Sequence, residues 1–202
     1  MVSMGELLPT LAYFGVQFSG IPSVYKIYKN KSVGQSDPLM FIMLIINGCI
    51  WSMYGIIVND RVLTFTNSIG IITGIIYNLI FYEYSPNKKI ISKYFQFTFI
   101  FITILFIIGY TFNPDKIQNS LGILGSLTAI LLMSSPLSNM KRVYNDQNSI
   151  HLPIYTVIAN FINALSWLLY GIIIKNIFVW LTNALGLIAA IIQVCLLFIF
   201  PR

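Results

Sequence analysis

Charged residues are few in this sequence. Of its 202 residues, 12 are lysine or arginine and 6 are aspartate or glutamate, which together make up 9%. Roughly a quarter of the residues in a soluble domain are charged, so too few charges remain here to cover a surface in contact with water. The hydrophobic fraction is 57%. These values exclude a soluble globular fold and indicate that lipid surrounds most of the chain.

Cysteine and histidine are scarce as well. Cys49 and Cys195 both fall within apolar stretches, and His151 is the single histidine. Disulfide frameworks and metal sites need several such residues at suitable spacings. We therefore expect no disulfide, no metal and no cofactor, and neither catalytic residues nor enzymatic activity. No basic stretch precedes the first apolar run, so a cleavable signal peptide is not predicted either.

Seven apolar runs follow one another along the chain. Each contains about 17–25 residues, which is enough to cross a hydrocarbon core of about 30 Å as a helix. The sequence therefore predicts an all-α membrane protein with seven transmembrane helices, and whether a soluble tail follows the last of them stays open. The predicted spans are Leu7–Tyr25, Pro38–Val58, Val62–Tyr84, Tyr94–Phe112, Leu121–Met140, Leu152–Ile174 and Ile177–Phe200.

Positively charged residues alternate between the loops. Nine follow the odd-numbered spans and three follow the even-numbered ones, and the positive-inside rule places the richer set in the cytoplasm. The N-terminus is then outside and the C-terminus cytoplasmic, and the net charge of +6 needs no nucleic-acid partner. The nine are Lys26, Lys29, Lys31, Lys88, Lys89, Lys93, Lys141, Arg142 and Arg202, and the three are Arg61, Lys116 and Lys175.

The chain contains an internal repeat. A shift of 116 residues aligns two motifs, Trp-x-x-Tyr-Gly and Thr-Asn-x-x-Gly, with a second copy of each, and shifts of 115 and 114 align two pairs of prolines. Trp, Asn, Gly and Pro in a fixed order do not match by chance. The aligned residues are Asn47 with Asn163, Trp51–Gly55 with Trp167–Gly171, Thr66–Gly70 with Thr182–Gly186, Pro38 with Pro153 and Pro22 with Pro136.

The repeat predicts how the chain is divided. We expect a first three-helix repeat over residues 1–88, a linker helix with its loops over 89–118, and a second three-helix repeat over 119–202. The unrepeated fourth span, Tyr94–Phe112, gives both repeats the same orientation in the membrane. Repeats of the same orientation imply a pseudo-two-fold axis along the membrane normal, with a shared site at their interface near the midplane.

One layer of Trp and Asn residues is predicted near the middle of the membrane. In each repeat, a Trp and an Asn lie eight residues on either side of the tip of the outer hairpin, at residue 59 or 175. Eight helical residues at 1.5 Å each place them about 12 Å below the outer surface. The layer contains Trp51, Asn67, Trp167 and Asn183, and Asn47 and Asn163 precede the two Trp residues by one turn.

This layer indicates a ligand. A single Trp in a span usually belongs to the interfacial aromatic belt, and a single Asn usually joins helices, but the depth and the duplication of the set favour a binding site. Asn carboxamides pair with hydroxyls without adding charge, and Trp rings offer flat apolar faces to the C–H faces of a sugar. The predicted ligand is therefore a neutral polyhydroxy solute.

Titratable groups are predicted to lie outside the middle of the membrane. Carriers coupled to protons or sodium normally hold such a group there, so we expect uncoupled, downhill transport. The acidic residues at span ends or in loops are Glu6, Asp37, Asp60, Glu83, Asp115 and Asp146.

The four aligned prolines lie nearer the cytoplasmic ends of their spans. A proline removes a backbone hydrogen bond or marks a helix start, and either effect gives a helix a place to bend. Alternating access needs such bends around a fixed site. We therefore expect Pro22, Pro38, Pro136 and Pro153 to act as hinges.

The matched prolines and the two repeated motifs resemble those of the eukaryotic SWEET sugar transporters, the MtN3/saliva family, over essentially the whole chain. The resemblance implies facilitative, bidirectional transport of a hexose or sucrose, and homo-oligomers such as a trimer. The plasma membrane is the expected location, with an intracellular membrane as the open alternative. It implies Asn67 and Asn183 as sugar-binding asparagines, Trp51 and Trp167 as pocket aromatics, Asn47 and Asn163 as their pocket neighbours, Phe18 and Leu132 as pocket walls, and the four prolines as hinges.

The outer gate departs from the family pattern. Members often have an Asp in the second outer hairpin that pairs with a Tyr, and here Tyr54 is present but the matching residue is Asn176. A Tyr–Asn hydrogen bond could replace this pair but is weaker than a charge-assisted one, and whether Asn176 changes gating stays open. The bulk of Phe18 and Leu132 favours a monosaccharide over sucrose.

Three other functions were weighed against sugar transport. A seven-span receptor would not repeat as three plus three helices, and a structural membrane protein would not need matched Trp and Asn in the membrane. Related transporters with a Pro-Gln dipeptide export cystine or cationic amino acids, but no Pro-Gln occurs here. Export of another small solute, such as an amino acid, is the alternative that stays open, as does the identity of the sugar.

Overall fold

The computed structural model describes residues 4–34 and 38–200, and all regular secondary structure in that part of the chain is helical. A single turn of 3₁₀ helix covers Ser149–His151. The α-helices are α1 (Met4–Ser19), α2 (Ile21–Asn30), α3 (Pro38–Ile57), α4 (Arg61–Tyr84), α5 (Lys88–Thr111), α6 (Pro114–Leu132), α7 (Ser134–Asp146), α8 (Ile154–Ile173) and α9 (Ile177–Ile199). They cover the seven predicted spans.

Two of those spans are each divided into two helices. Gly20 separates α1 from α2, and Met133 separates α6 from α7. A proline follows each break, Pro22 in the first turn of α2 and Pro136 in the first turn of α7. Proline lacks an N–H and its ring crowds the carbonyl four residues earlier, so it interrupts a running helix but fits the first turn of a new one. The prolines therefore explain both breaks.

The outer surface of the helices suits a bilayer. Among the described residues, five helical stretches are long and apolar enough to cross a membrane, and a shorter apolar helix covers Phe41–Ile57. On α5, the side chains of Phe99 and Tyr110 are 73% and 92% exposed. Exposure of large aromatic side chains to this extent is unfavourable in water. The five stretches are Arg61–Tyr84, Lys88–Thr111, Pro114–Asp146, Ile154–Ile173 and Ile177–Ile199.

The helices form two compact units. The first-repeat unit, residues 20–128, contains α2 to α5 and most of α6, and in it α3 packs along α4 while α5 packs against α3. The second-repeat unit, residues 1–19 and 129–202, contains α1, the end of α6, and α7 to α9, and in it α8 packs along α9 while α1 packs against α8. These units group helices by packing, whereas the predicted boundaries at 88/89 and 118/119 follow the repeat and stay a prediction.

The hairpins α3–α4 and α8–α9 turn in the same way. The backbone is left-handed at Asn59 and at Lys175, with φ of 56° and 54°, and these residues are 116 positions apart. The next residue caps the following helix, because Oδ1 of Asp60 and Oδ1 of Asn176 each accept a hydrogen bond from the N–H three residues further on, at 3.0 and 3.3 Å. Asp and Asn are preferred N-caps, so the second helix of each hairpin begins with the same kind of side-chain cap.

Gly55 and Gly171 allow the two helices of each hairpin to approach closely. A Cβ atom on Gly55 would lie 2.7 Å from the backbone nitrogen of Thr64, and one on Gly171 would lie 2.5 Å from the backbone nitrogen of Trp180. Both distances are well inside van der Waals contact, and a backbone cannot step aside as a flexible side chain can. Helix packing therefore explains the glycine that ends each Trp-x-x-Tyr-Gly motif.

A buried amide ties α3 to α4 in the first-repeat unit. Asn78 is 2% exposed, and its Nδ2 donates to the carbonyl oxygens of Phe41 and Gly74, both at 2.8 Å. These partners satisfy a polar group that would be costly to leave unpaired inside a membrane protein. The surrounding core contains Val24, Ile27, Val33, Phe41, Tyr77, Phe81 and Ile91, and the corresponding core of the second-repeat unit contains Val143, Leu152 and Val157.

Candidate functional site

Each of the two units contains three of the six predicted binding residues. In the first-repeat unit, Asn47 and Trp51 lie on α3 and Asn67 lies on α4; in the second-repeat unit, Asn163 and Trp167 lie on α8 and Asn183 lies on α9. Each unit therefore carries one Trp and two Asn on a single helical hairpin. We call these three residues the half-set of that unit.

The indole of Trp51 is fixed from two sides. The side chain is 7% exposed, and its ring meets the ring of Tyr54 edge to face, with centroids 5.6 Å apart and an interplanar angle of 87°. On another side, Gly125 of α6 lies so close that a Cβ there would be 2.9 Å from the indole Cε2. The sequence analysis missed Gly125, and its only signal was a glycine inside a predicted span.

The second half-set repeats the Trp–Tyr pair. Trp167 is 5% exposed, and its ring meets that of Tyr170 with centroids 5.6 Å apart at 88°. Here an aromatic ring takes the place of the glycine contact, because the ring centroids of Tyr13 on α1 and Trp167 lie 6.3 Å apart, with an interplanar angle of 82°. The Trp-x-x-Tyr spacing thus produces the same edge-to-face pair in both units, which orients the indole in each.

Asn67 and Asn183 are held in the same way by their own helices. The Nδ2 atom of Asn67 donates to the carbonyl oxygen of Leu63 at 2.9 Å, and that of Asn183 donates to the carbonyl oxygen of Val179 at 2.8 Å. No donor among the described residues hydrogen-bonds to either Oδ1. Each amide is therefore anchored through its nitrogen and offers its carbonyl oxygen to a ligand.

A second glycine brings the members of the first half-set together. A Cβ on Gly48 would lie 3.2 Å from the backbone oxygen of Asn67, so α3 and α4 cross closely at this level. Because Gly48 follows Asn47 directly, this crossing places the amides of Asn47 and Asn67 at the same level of the hairpin. The repeat has Ala164 at the position of Gly48.

The predicted pocket walls and hinges are only partly described. The side chains of Phe18 on α1 and Pro136 on α7 lie outside the described residues, whereas Leu132, the last residue of α6, is half-buried. Pro38 is the first residue of α3, and Pro153 directly precedes α8 with φ of −64°. These two prolines mark helix starts, whereas Pro22 and Pro136 follow helix breaks.

The predicted outer-gate residues have structural partners within their own units. Tyr54 is 3% exposed and packs against Trp51, and Asn176 caps α9 by accepting hydrogen bonds from the N–H groups of Phe178 and Val179 at 3.2 and 3.3 Å. The sequence analysis missed the cap, although an Asn directly before an apolar run is a typical N-cap signal. A role of Tyr54 and Asn176 in gating stays a prediction.

The buried polar groups carry no charge. Among the side chains that the structure describes, the buried polar ones are serine, threonine, asparagine and glutamine, and no group of three His, Cys, Asp or Glu residues could hold a metal ion. The ion pair between Lys88 and Glu83, at 3.4 Å, is exposed. Burying an unpaired charge is far more costly than burying an amide, so these half-sets suit a neutral ligand.

Comparisons with known proteins agree with this chemistry. A profile of the family described as "Sugar efflux transporter for intercellular exchange" matches the chain twice, over residues 6–89 and 119–202. "Sugar transporter SWEET1" of Drosophila pseudoobscura pseudoobscura is 29% identical over 97% of this chain and 89% of its own length. "Bidirectional sugar transporter SWEET7" of Arabidopsis thaliana is 30% identical over 88% of this chain and 72% of its own length.

A solved structure has the same fold. A eukaryotic SWEET transporter determined at 3.7 Å superposes on this chain with a TM-score of 0.88 at 22% sequence identity, and the match covers 97% of this chain and 94% of the other. It confirms the predicted fold, seven transmembrane helices arranged as two parallel three-helix repeats joined by a linker helix. Together with the family profile, it shows that this multi-pass membrane protein belongs to the SWEET (MtN3/saliva) family of sugar transporters.

Proposed function

We propose that the chain is a facilitative, bidirectional sugar transporter. It is a uniporter that moves a mono- or disaccharide, with a glucose-type hexose favoured, down its gradient by alternating access, and it catalyses no chemical reaction. The observation that carries this proposal is the half-set of one Trp and two Asn, present once in each of the two stretches that match the family profile.

The half-sets supply the two kinds of contact that a sugar needs. Asn67 and Asn183 are anchored through Nδ2, which leaves their carbonyl oxygens to accept hydrogen bonds from sugar hydroxyls. Trp51 and Trp167 are held edge to face by a neighbouring Tyr, so the indoles are already oriented before a ligand arrives. Pre-oriented groups lose less conformational freedom on binding, so a small ligand can bind through few contacts.

Transport by this chain is uncoupled. A coupled carrier normally places a titratable or cation-binding side chain within the membrane, and the buried polar side chains of the described residues are all neutral. Direction then depends on the sugar gradient alone. This supports a carrier that works equally well in both directions.

The prolines act as hinges in this proposal. The chain passes from one compact unit to the other at two places, between residues 19 and 20 and between residues 128 and 129. The first lies beside the helix break before Pro22, and the second lies one turn before the break at Met133 that precedes Pro136. Any movement of one unit against the other must be taken up near these breaks, where the helical hydrogen-bond ladder is already interrupted.

The orientation of the protein in the membrane follows from the distribution of positive charge. We place the N-terminus outside and the C-terminus in the cytoplasm, because the loops that follow the odd-numbered spans carry nine positive residues against three in the others. The proposed location is the plasma membrane, and the proposed assembly is a homo-oligomer such as a trimer.

Counterflow in proteoliposomes tests the proposal. Vesicles containing the purified chain and loaded with unlabelled glucose are given radiolabelled glucose outside, without any ion gradient. We expect the wild type to accumulate label transiently, and the double variant Asn67→Ala plus Asn183→Ala to lose this exchange while keeping a monodisperse profile in detergent. The matched control is Asn78→Ala, which removes a buried amide from the same helix α4 outside the half-set.

The outcomes separate two functions. Exchange of glucose, fructose, galactose or sucrose that disappears in the double variant supports a sugar carrier with this site. If none of these sugars exchanges and an amino acid does, the chain is an exporter of another small solute and the sugar proposal is wrong. Exchange that survives intact in the double variant would remove Asn67 and Asn183 from the site.

A further inference from the structure

Asn47 and Asn163 occupy matched positions but have different surroundings. The Nδ2 atom of Asn47 donates to Thr128 Oγ1 at 2.9 Å and also lies 3.4 Å from the carbonyl oxygen of Gly125. The Oδ1 atom of Asn163 is buried, and no donor in the part of the chain that the structure describes forms a hydrogen bond with it. The two repeats therefore share an asparagine at this position but differ in its hydrogen-bond partners.

The difference originates in the first helix of each repeat. The shift of 114 residues that aligns the first prolines of the two repeats places Phe14 of α1 where α6 has Thr128. A phenylalanine side chain has no hydrogen-bonding group, so α1 offers Asn163 no counterpart of the Thr128 hydroxyl. Beside this position, α1 instead presents Tyr13 to the ring of Trp167.

An amide without a partner is unusual at this place. Buried polar atoms in folded proteins are nearly always hydrogen-bonded, and within a membrane there is little water to substitute for a missing partner. Exchanging the oxygen and nitrogen of the Asn163 amide would only replace an orphan acceptor by an orphan donor. In the part of the chain that the structure describes, Asn163 Oδ1 is therefore left able to accept a hydrogen bond from a ligand.

We infer that the two asparagines have different roles. Asn163 accepts a hydrogen bond from one hydroxyl of the transported sugar, whereas Asn47 is a structural strut that holds α3 against α6. This inference rests on the proposed sugar transport and gives the half-set of the second-repeat unit one more sugar-binding amide than the half-set of the first. Trp167 lies one turn further along α8 and is buried.

A matched pair of substitutions tests whether Asn47, and not Asn163, stabilises the fold. Asn47→Leu and Asn163→Leu each replace an amide by an apolar group of similar size, and the purified full chain is unfolded by heat in detergent. Asn47→Leu removes a helix-to-helix hydrogen bond and is expected to lower Tm, whereas Asn163→Leu removes an orphan polar atom and is expected to raise it, each by about 2–4 °C. Equal shifts in the same direction would overturn the assignment of different roles.

Deoxyglucose analogues, each lacking one hydroxyl, test whether Asn163 binds the sugar. In the wild type, we expect the KM of one analogue to exceed that of glucose by about 3- to 10-fold, because its missing hydroxyl leaves Asn163 unpaired. In Asn163→Leu that difference should disappear, and discrimination against the other analogues should persist. The control Thr128→Val frees Asn47 from its hydroxyl partner and should keep the wild-type pattern for every analogue.

The results distinguish this inference from the proposed function. If the wild type transports glucose but Asn163→Leu keeps the complete pattern, Asn163 is not a sugar ligand although sugar transport stands. If Thr128→Val abolishes the same discrimination, Asn47 is a ligand and the strut assignment is wrong. If the wild type moves no sugar at all, the ligand role of Asn163 falls with the proposed function, and the unfolding temperatures still decide the role of Asn47.

Discussion

Replacing Gly125 by alanine would push a methyl group into the indole of Trp51. The added Cβ would lie 2.9, 3.2 and 3.3 Å from Cε2, Cζ2 and Cδ2 of that ring, whereas relaxed carbon–carbon contacts are about 3.5–4.0 Å. The indole would therefore have to move by about 0.5–1 Å. It has little room to do so, because the ring is 7% exposed and packs against Tyr54 on another side.

Two opposing terms set the size of the effect. Overpacking a filled site costs about 1–3 kcal/mol, and alanine in place of glycine inside a helix returns about 1 kcal/mol. Because the indole has little room to move, we take the upper part of the overpacking range, which leaves a net cost of about 0.7–2 kcal/mol and a loss of about 3- to 30-fold in any step that needs the indole at its original place. Because the strain is confined to the ring, we expect the substitution to affect mainly the binding of sugar.

Glucose counterflow over a range of concentrations measures the effect. Gly125→Ala should raise the KM for glucose by about 3- to 30-fold with little change in expression. The matched control is Gly109→Ala on α5, where the added Cβ would meet the Sδ atom of Met53 at 2.6 Å; a flexible thioether side chain can move away, so KM should stay at the wild-type value. A normal KM in Gly125→Ala, or the same increase in both variants, would refute the reasoning.

Three further changes test other parts of the molecule. Asn176→Ala should lower Tm by about 2–4 °C because α9 loses its N-cap, whereas Asn176→Asp should retain the cap and the Tm; equal Tm values in both variants would argue against capping. Alanine at all four hinge positions, Pro22, Pro38, Pro136 and Pro153, should abolish counterflow in a chain that still folds, and intact exchange would exclude the hinge role. Initial glucose uptake should be the same with and without an imposed proton or sodium gradient, since the half-sets contain no titratable side chain, and acceleration by either gradient would contradict uncoupled transport.

Features that depend on local sequence were predictable. Apolar runs long enough to cross a bilayer located all seven spans, because a membrane helix must satisfy its backbone internally and cover itself with apolar side chains. The repeated Trp-x-x-Tyr-Gly motif identified two matched hairpins, whereas the Trp–Tyr pairs and the close approach of the hairpin helices came from the structure. The family's fold followed from the same motifs.

Contacts between helices that are distant in sequence were not predictable. The resemblance treated Asn47 and Asn163 as equivalent, yet the partner of Asn47 is Thr128, 81 residues away. Gly125 had no visible role until its contact with Trp51 was known. A pattern of apolar residues does not specify which face of one helix meets which face of another, so the surroundings of a matched residue had to come from the structure.

The grouping of helices explains why the two half-sets differ. Each three-helix repeat contributes its own hairpin to one unit, but the first helix of each repeat lies largely in the unit of the other: α1 packs against α8, and the main part of α6 belongs with α3. Thr128, from the second repeat, therefore sets the partners of Asn47 in the first, and Tyr13, from the first repeat, contacts Trp167 in the second. The hairpins keep the shared geometry of caps, glycines and Trp–Tyr pairs, while α1 and α6 are free to diverge. Substitutions in α6 should thus alter the half-set of the first repeat, and substitutions in α1 should alter that of the second.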